Sequence, residues 1–164
     1  MRYLTLIRHG KSSWDFDGLK DDERPLNPRG ERDVPVMALR FVAQGHRPDY
    51  LLSSYATRAL TTARLFARQL CYPVERIRLT EALYECPMAE IYSIIAGLND
   101  QHWHVCLFGH NPGFTAFAND LCGATIDNIP TTGIVHMQLN IDSWHQVTAG
   151  SGELLQFDYP KKSQ

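Results

Sequence analysis

The 164-residue sequence predicts an α/β fold, a three-layer α/β/α sandwich with a mainly parallel central sheet and antiparallel strands at its C-terminal end. Short apolar runs alternate with segments of helical apolar spacing, which is the pattern of parallel strands joined by helical crossovers. The last two apolar runs instead alternate with polar residues, as in half-buried antiparallel strands. The length is that of one ordinary domain, so we predict a single domain over residues 1–164 without a large lid insertion.

The first predicted strand covers residues 3–7 and ends at Arg8-His9-Gly10. Its residues are apolar and β-favouring, which is typical of a buried strand. The polar stretch 11–27 that follows contains several Asp residues, a Gly and a Pro, and it predicts a long loop. Long loops of this kind often carry function.

The start of the first helix is ambiguous. Asn27-Pro28 has the form of a helix cap followed by a proline in the first helical position, but Pro35 would kink a helix that begins there. We therefore predict a short first turn and a main helix from about Asp33, ending at Gly45. Its inward face is expected to carry Val36, Met37, Leu39 and Val42.

A second strand is predicted over 49–53, with Ser53 or Ser54 as the cap of the next helix and Arg58 in its first turn. Apolar residues of that helix recur at positions i, i+3, i+4 and i+7, so one face should pack on the sheet. These residues are Ala56, Ala59, Leu60, Ala63, Phe66, Ala67 and Leu70.

The second half of the chain repeats the pattern. A weak strand is predicted near 77–79, a helix opening at Pro87, and a strand over 104–108. That strand ends at Gly109-His110-Asn111-Pro112, where Asn111 is a natural cap for a further helix. The antiparallel strands come last, with apolar residues Val135, Met137, Leu139 and Ile141, then Leu155, Phe157 and Tyr159.

Composition excludes several classes of protein. Hydrophobic residues at 44% and charged residues at 21% argue against a disordered chain, a collagen or a coiled coil. A formal net charge of −2 gives no field that attracts nucleic acid or anionic lipid, so we expect neither a nucleic-acid nor a membrane partner.

Location and redox state follow from other features of the sequence. No apolar stretch reaches the length of a membrane span, and the short apolar N-terminal run does not suffice for a signal peptide, so we expect a cytoplasmic protein. The four cysteines are far apart and form no C-x-x-C pair, which predicts buried free thiols. They are Cys71, Cys86, Cys106 and Cys122.

Two arginines and two histidines are expected to meet at one edge of the sheet. Arg8 and His9 follow the first strand, Arg58 follows the second, and His110 follows the fourth. In open α/β sheets the ligand binds beyond the carboxyl ends of the strands. Guanidinium groups suit the oxygens of a phosphoryl group, and a neutral histidine can attack phosphorus if an acceptor holds the proton on its far nitrogen.

Other readings of these residues are weaker. Gly10-Lys11-Ser12 has the ending of a phosphate-binding P-loop, but Thr5 stands where that motif needs a glycine. His102 and His104 could share a strand face as metal ligands, although no third ligand is near in sequence.

Four blocks of sequence resemble the histidine phosphatase, or phosphoglycerate mutase-like, superfamily, and most of all its small SixA-like phosphohistidine phosphatases. The blocks occur in family order and span essentially the whole chain. They are Leu6-Ile7-Arg8-His9-Gly10-Lys11-Ser12-Ser13-Trp14, Arg24-Pro25-Leu26 with Gly30, residues 53–63, and Gly109-His110-Asn111-Pro112-Gly113.

The resemblance implies a role for each site residue. His9 would be the nucleophile that becomes phosphorylated, and Arg8, Arg58 and His110 would hold the phosphoryl oxygens, with Arg24 at the rim. Water would then hydrolyse the phosphoenzyme without a metal or other cofactor, because the cations stabilise the transferring group. We expect His110 to be cationic and His9 neutral.

The proton donor is the open question. Glu81 is favoured by motif position, Glu85 is the alternative, and the site could also lack such a residue. An imidazole leaving group has a conjugate-acid pKa of roughly 6.5, so phosphohistidine needs less help than an alkyl phosphate.

Size favours a protein substrate. Fifty-one residues separate Arg58 from His110, and the predicted elements use most of them, so little remains for a lid and the pocket should be shallow. The resemblance suggests a histidine-containing phosphotransfer protein or a phosphotransferase-system protein as the phosphorylated partner. The alternatives are a small-molecule phosphomonoester phosphatase of the same superfamily and a phosphoprotein-binding module without turnover.

Overall fold

The computed structural model describes residues 1–162 and contains one mixed six-stranded sheet. The strands are β1 Arg2–Arg8, β2 Tyr50–Ser54, β3 Arg78–Thr80, β4 His104–Gly109, β5 Ile134–Leu139 and β6 Gly152–Asp158. Their order across the sheet is β3-β2-β4-β1-β5-β6. The first four strands run parallel, whereas β5 is antiparallel to β1 and β6 is antiparallel to β5. The predicted α/β fold, mainly parallel with antiparallel strands at its C-terminal end, is confirmed.

Helices cover both faces of this sheet. They are α1 Pro28–Ala43, α2 Thr57–Leu70, α3 Met88–Ala96 and α4 Gly113–Cys122. α1 and α2 contribute to one buried core, and α3 and α4 to the other. The alternation of side chains along a strand feeds both cores: Leu4 and Leu6 of β1 belong to the α3–α4 core, and Ile7 belongs to the α1–α2 core.

The predicted start of the first helix is wrong. α1 begins at Pro28, where the Asn27 side chain accepts a hydrogen bond from the Gly30 amide at 2.9 Å, and it continues through Pro35. The missing N–H of Pro35 removes one hydrogen bond, and the cap together with close packing of Gly30 on the Lys11 backbone holds the first turns in place.

The predicted inward face of this helix is also partly wrong. Val36 and Leu39 are exposed. The buried apolar residues follow a complete i, i+3, i+4, i+7 stripe on another side of the helix, and this stripe belongs to the core that α1 shares with α2. They are Val34, Met37, Ala38 and Phe41.

Smaller expectations differ by one or two residues. α2 has no side-chain cap, and Ser54 Oγ instead accepts from the Ala56 amide at 3.2 Å just before the helix. Asn111 Oδ1 accepts from the Thr115 amide at 3.2 Å, and α4 starts after Pro112.

The four cysteines are free thiols, as expected, but of them Cys106 alone is buried. Cys71 is exposed beyond the end of α2, and the other two are half-buried. Over residues 1–162, none of the helices combines the length and apolarity needed to cross a bilayer.

Candidate active site

The carboxyl ends of β1, β2 and β4 open into a polar cavity of about 290 Å³. Parallel strands place the residues that follow them at the same edge, and the register pairs Arg8 with Gly109, so that the histidines after β1 and β4 are neighbours. Five of the residues singled out in the sequence line this cavity: Arg8, His9, Arg24, Arg58 and His110.

The His9 imidazole has a fixed tautomer. Its Nδ1 lies 2.7 Å from the Gly10 carbonyl oxygen, and because a carbonyl can only accept, Nδ1 carries the proton. Burial lowers the pKa of His9 to about 3. The Arg58 and Arg8 charges also lower this pKa, whereas the Gly10 hydrogen bond raises it. His9 is therefore neutral at physiological pH, with a free electron pair on Nε2.

One hydroxyl joins the His9 loop to α2. Thr62 Oγ1 accepts from the Gly10 amide at 3.0 Å and donates to the Arg58 carbonyl at 2.7 Å. Gly10 also needs to be small, since a Cβ there would lie 2.6 Å from Val34 Cγ2. The loop that carries His9 and the helix that carries Arg58 are thus held in one fixed relation.

The Arg58 guanidinium is 2% exposed and pairs with two carboxylates. Its Nη1 donates to the Asp21 carbonyl at 2.7 Å, while Nη2 lies 3.0 Å from Asp21 Oδ2 and 3.1 Å from Glu85 Oε1. Its Nε is buried and makes no hydrogen bond to the residues in 1–162. A guanidinium that is fixed in position and has an N–H without a partner is suited to donate hydrogen bonds to the oxygens of an anion.

Arg8 and Arg24 extend the positive wall of the cavity. Arg8 Nη1 donates to the Ile129 carbonyl at 2.9 Å, and burial together with the Arg58 charge lowers the pKa of Arg8. Arg24 Nε lies 3.3 Å from Asp21 Oδ1. Burial and a neighbouring cation both disfavour the charged form of Arg8, and a bound anion would favour it.

The His110 ring lies beside His9, with centroids 5.1 Å apart. Its Nε2 is 2.8 Å from Ser54 Oγ, and its buried Nδ1 has no hydrogen-bond partner within the described chain. Burial, then the electrostatic interaction with the His9 ring and with the Arg58 charge, lower the pKa of His110 to about 3. The expectation of a cationic His110 is therefore wrong for the protein by itself, because the surrounding groups are buried and positive. An anion bound among them would raise this pKa.

The acidic residues are arranged differently from the prediction. Glu85, the alternative candidate, lines the cavity and contacts Arg58, whereas Glu81 is exposed and does not line it. A positive φ of 51° at Glu85 turns the chain there after the short helix Glu81–Leu83.

Asp21 is a site residue that the sequence reasoning missed. It accepts from Arg58, Arg24 and the Tyr84 hydroxyl, and the Tyr84 hydrogen bond is the largest cause that lowers the pKa of Asp21. The acidic loop 11–27 was a signal of function, but no spacing rule singles out which of its carboxylates reaches the cavity.

The histidine pair near the start of β4 does not form a metal site. The His102 ring stacks on Tyr50 with centroids 4.2 Å apart, and His104 Nε2 lies 2.8 Å from Thr5 Oγ1. In the part of the chain that the structure describes, no group of three or more His, Cys, Asp or Glu side chains is placed to hold a metal ion.

Comparison with protein families identifies a match over most of the chain. Residues 4–103 match the histidine phosphatase superfamily (branch 1). An uncharacterized chloroplastic protein of Arabidopsis thaliana is 31% identical over 160 residues, which cover 92% of this chain and 72% of that protein.

Solved structures agree in fold. A protein of Agrobacterium tumefaciens, provisionally named phosphohistidine phosphatase SixA, superposes with a TM-score of 0.82 at 25% identity, covering 97% of this chain and 98% of that one. The protein histidine phosphatase SixA complexed with tungstate also has a TM-score of 0.82, at 22% identity, with 96% and 97% of the two chains covered. With an identity of only 22%, this second likeness shows a shared fold and nothing further.

Proposed function

Since the chain belongs to the histidine phosphatase superfamily, we propose that it removes the phosphoryl group from phosphohistidine on a protein, through a covalent intermediate on His9. The observation that carries this proposal is the His9 imidazole. Gly10 fixes its proton on Nδ1, which leaves Nε2 free to attack, and Arg8, Arg58 and His110 surround it.

In the first step, the His9 Nε2 electron pair attacks phosphorus in line with the bond to the substrate imidazole. That P–N bond breaks, and its electron pair stays on the substrate ring. A substrate ring protonated on its distal nitrogen leaves as neutral imidazole. His9 becomes a phosphorylated imidazolium, whose Nδ1 keeps its proton and donates it in the hydrogen bond to the Gly10 carbonyl.

In the second step, water attacks the phosphorus of phosphorylated His9. The P–N bond breaks, its electrons return to Nε2, and dihydrogen phosphate leaves with both protons of the water. His9 is neutral again with Nδ1 still protonated. The Gly10 hydrogen bond thus supports both steps, and neither step requires a carboxylic acid as proton donor. This balance fits a site whose nearest glutamate, Glu85, is paired with Arg58.

The cations stabilise charge on the transferring group. Arg8, Arg24 and Arg58 line the cavity on fixed supports, so they need little reorganisation as the equatorial oxygens develop charge. A bound dianion would raise the pKa of His110 and allow it to donate through Nδ1. These groups supply what a metal ion supplies in other phosphoryl-transfer sites, and we propose turnover without a metal.

The size of the cavity favours a phosphorylated side chain as substrate. At about 290 Å³ it lies near the lower end of small-molecule sites, which run from roughly 300 to 1,000 Å³. It has room for a phosphoryl group and one ring, and the rest of the substrate would lie outside. A phosphotransfer-domain or phosphotransferase-system protein is the proposed partner, and the free thiols fit the reducing cytoplasm as its place of action.

The test compares hydrolysis of a phosphohistidine-containing phosphocarrier protein with that of small phosphate esters. Wild type should dephosphorylate the protein and form an acid-labile phosphoenzyme, and a chelator should not change the rate. His9→Ala should lose nearly all turnover, while His145→Ala, an exposed histidine outside the cavity, should retain it.

Two results would contradict the proposal. Rapid hydrolysis of a small ester with no action on phosphohistidine proteins would identify a small-molecule phosphatase. Tight binding of the phosphoprotein by wild type without phosphate release would identify a binding module.

A further inference from the structure

An exposed tryptophan stands at the mouth of the phosphate cavity. Trp14 is 74% exposed, and among the cavity-lining residues of the described chain it alone has a large apolar side chain. Tryptophan usually buries most of its large surface. An indole left open to solvent beside a binding site therefore points to a contact made by the ligand.

The indole rests on a rigid support. The Arg24 guanidinium carbon lies 3.5 Å from the centroid of the Trp14 ring, and Arg24 itself is 9% exposed and donates to the Ser13 carbonyl at 3.4 Å. The Ser13 amide in turn donates to the Pro25 carbonyl at 2.8 Å, which ties the two ends of the loop together. The Arg24 guanidinium covers one face of the indole. Because the side chain is already held in place, Trp14 would lose little conformational entropy when a ligand binds to the other face.

In an in-line transfer, the leaving group departs on the solvent side of the cavity, where this indole lies. His9 is 7% exposed and lies on the cavity floor. A group displaced from phosphorus departs on the side opposite the attacking nitrogen, which is the side that opens to solvent. Of the residues that line the cavity, Trp14 is 74% exposed and so reaches the solvent side, whereas Arg58 and His110 are buried like His9.

We propose that Trp14 is a leaving-group subsite that stacks against a planar aromatic ring bound to the phosphoryl group. The inference rests on the proposed function, because the imidazole of phosphohistidine is such a ring. It adds a source of selectivity, since an alkyl or sugar phosphate presents no ring at this position. Stacked aromatic pairs strengthen binding by about threefold to tenfold.

A binding experiment with two stable phosphonates tests the subsite. We expect wild type to prefer phenylphosphonate over methylphosphonate, and Trp14→Ala to reduce this ratio of dissociation constants by about threefold to tenfold. Trp14→Phe keeps a ring and should keep most of the preference. Trp103→Ala is the matched control, because Trp103 is 56% exposed and stacks on Arg2 at 4.2 Å, at the amino end of β4.

The outcomes distinguish a direct contact between Trp14 and the ligand from a role of Trp14 as a support for Arg24. Equal weakening of both phosphonates by Trp14→Ala would overturn the subsite and leave Trp14 as a support for Arg24. An unchanged ratio would overturn it as well. Binding does not require turnover, so the subsite can be established even if phosphohistidine proteins fail as substrates, and it can fail while they succeed.

Turnover supplies a second measurement. N-phosphoimidazole and phosphoramidate both contain a P–N bond, but only the first has an aromatic leaving group. We expect Trp14→Ala to lower kcat/KM for N-phosphoimidazole about threefold to tenfold more than for phosphoramidate. Parallel losses on the two substrates would contradict the stacking contact.

Discussion

The Arg58 guanidinium is buried and oriented before any substrate arrives, which makes its removal costly for catalysis. We expect Arg58→Ala to lower kcat/KM by about 10²- to 10³-fold, the usual effect of deleting one fixed donor to a developing oxyanion. Arg64→Ala, on the exposed side of the same helix, should stay within twofold of wild type. A loss below tenfold in Arg58→Ala would show that this arginine does not hold the transferring group.

The two histidines of the cavity, His9 and His110, should resist protonation. The pKa of both His9 and His110 is lowered to about 3, against an ordinary histidine value of roughly 6.5. A lowered pKa keeps an imidazole neutral at more acidic pH, so both rings should remain neutral from pH 7.5 down to pH 5. Nitrogen chemical shifts of the imidazoles measure this directly, with a histidine-containing peptide as reference.

The same titration repeated with tungstate should separate the two rings. An oxyanion in the cavity favours the protonated form of His110, so its pKa should rise. Half-protonation of His9 near pH 6.5 in the free protein would contradict the assigned tautomer and the neutral nucleophile.

Strand β1 and helix α2 are coupled through Thr62, and this coupling can be tested apart from the chemistry. Thr62→Val keeps the shape of the side chain but leaves the buried Gly10 amide without its acceptor, at a cost of about 1–3 kcal/mol in unfolding free energy. We expect kcat/KM to fall as well, because Gly10 positions the His9 ring. Thr62→Ser should restore both, as measured by urea denaturation and kinetics. A Thr62→Val variant with wild-type activity would show that the two elements hold their geometry without the hydroxyl.

Secondary-structure elements were predictable where one physical cause dominates. The stripe from Ala59 to Ala67 on α2 follows from its helical periodicity. The apolar runs of β1 and β4 predicted strand ends at residues 7 and 108, one residue short of Arg8 and Gly109. Because parallel strands end at one edge, the sequence also placed the arginines and histidines of the cavity near one another. The start of α1 was not predictable, since the local conflict between the Asn27 cap and Pro35 is decided by packing of the helix on a distant part of the chain.

The acidic part of the site shows a second limit of sequence reasoning. Asp21 reaches Arg58 across 37 positions of sequence through a loop that has no periodicity. Glu81 and Glu85 are separated by a single turn, and the backbone conformation at Glu85 determines which one reaches the cavity. Neither property is encoded in residue spacing.

Buried histidines lie away from the polar cavity as well as within it. Thr5 Oγ1 is 2.8 Å from His104 Nε2 and 2.8 Å from His136 Nδ1, and the His46 ring stands 4.3 Å from that of His136. Burial lowers the pKa of His104 to about 3 and that of His136 to about 4, and it also lowers the pKa of His46. The folded protein therefore holds several neutral imidazoles.

We expect the whole molecule to lose stability in mild acid. Between about pH 6.5 and pH 4, the unfolded chain binds protons on histidines that the folded protein keeps neutral, so the unfolding free energy falls as pH falls. Each such histidine contributes a slope of about 1.4 kcal/mol per pH unit. Urea denaturation at pH 7, 6 and 5 measures the slope. The substitution His136→Gln should reduce the number of protons taken up on unfolding by about one. An unfolding free energy that does not change from pH 7 to pH 5 would contradict this account.

The ion pairs of Arg58 with Asp21 and Glu85 affect how well free inorganic anions compete for the cavity. Both carboxylates are tethered to the protein, so their effective concentration at the guanidinium exceeds that of an anion in solution. Free orthophosphate has to displace them with contacts inside the cavity alone. Under the proposed function, a substrate that also binds the rim of the cavity gains additional contacts, and after its cleavage the tethered carboxylates would compete with the phosphate product for Arg58.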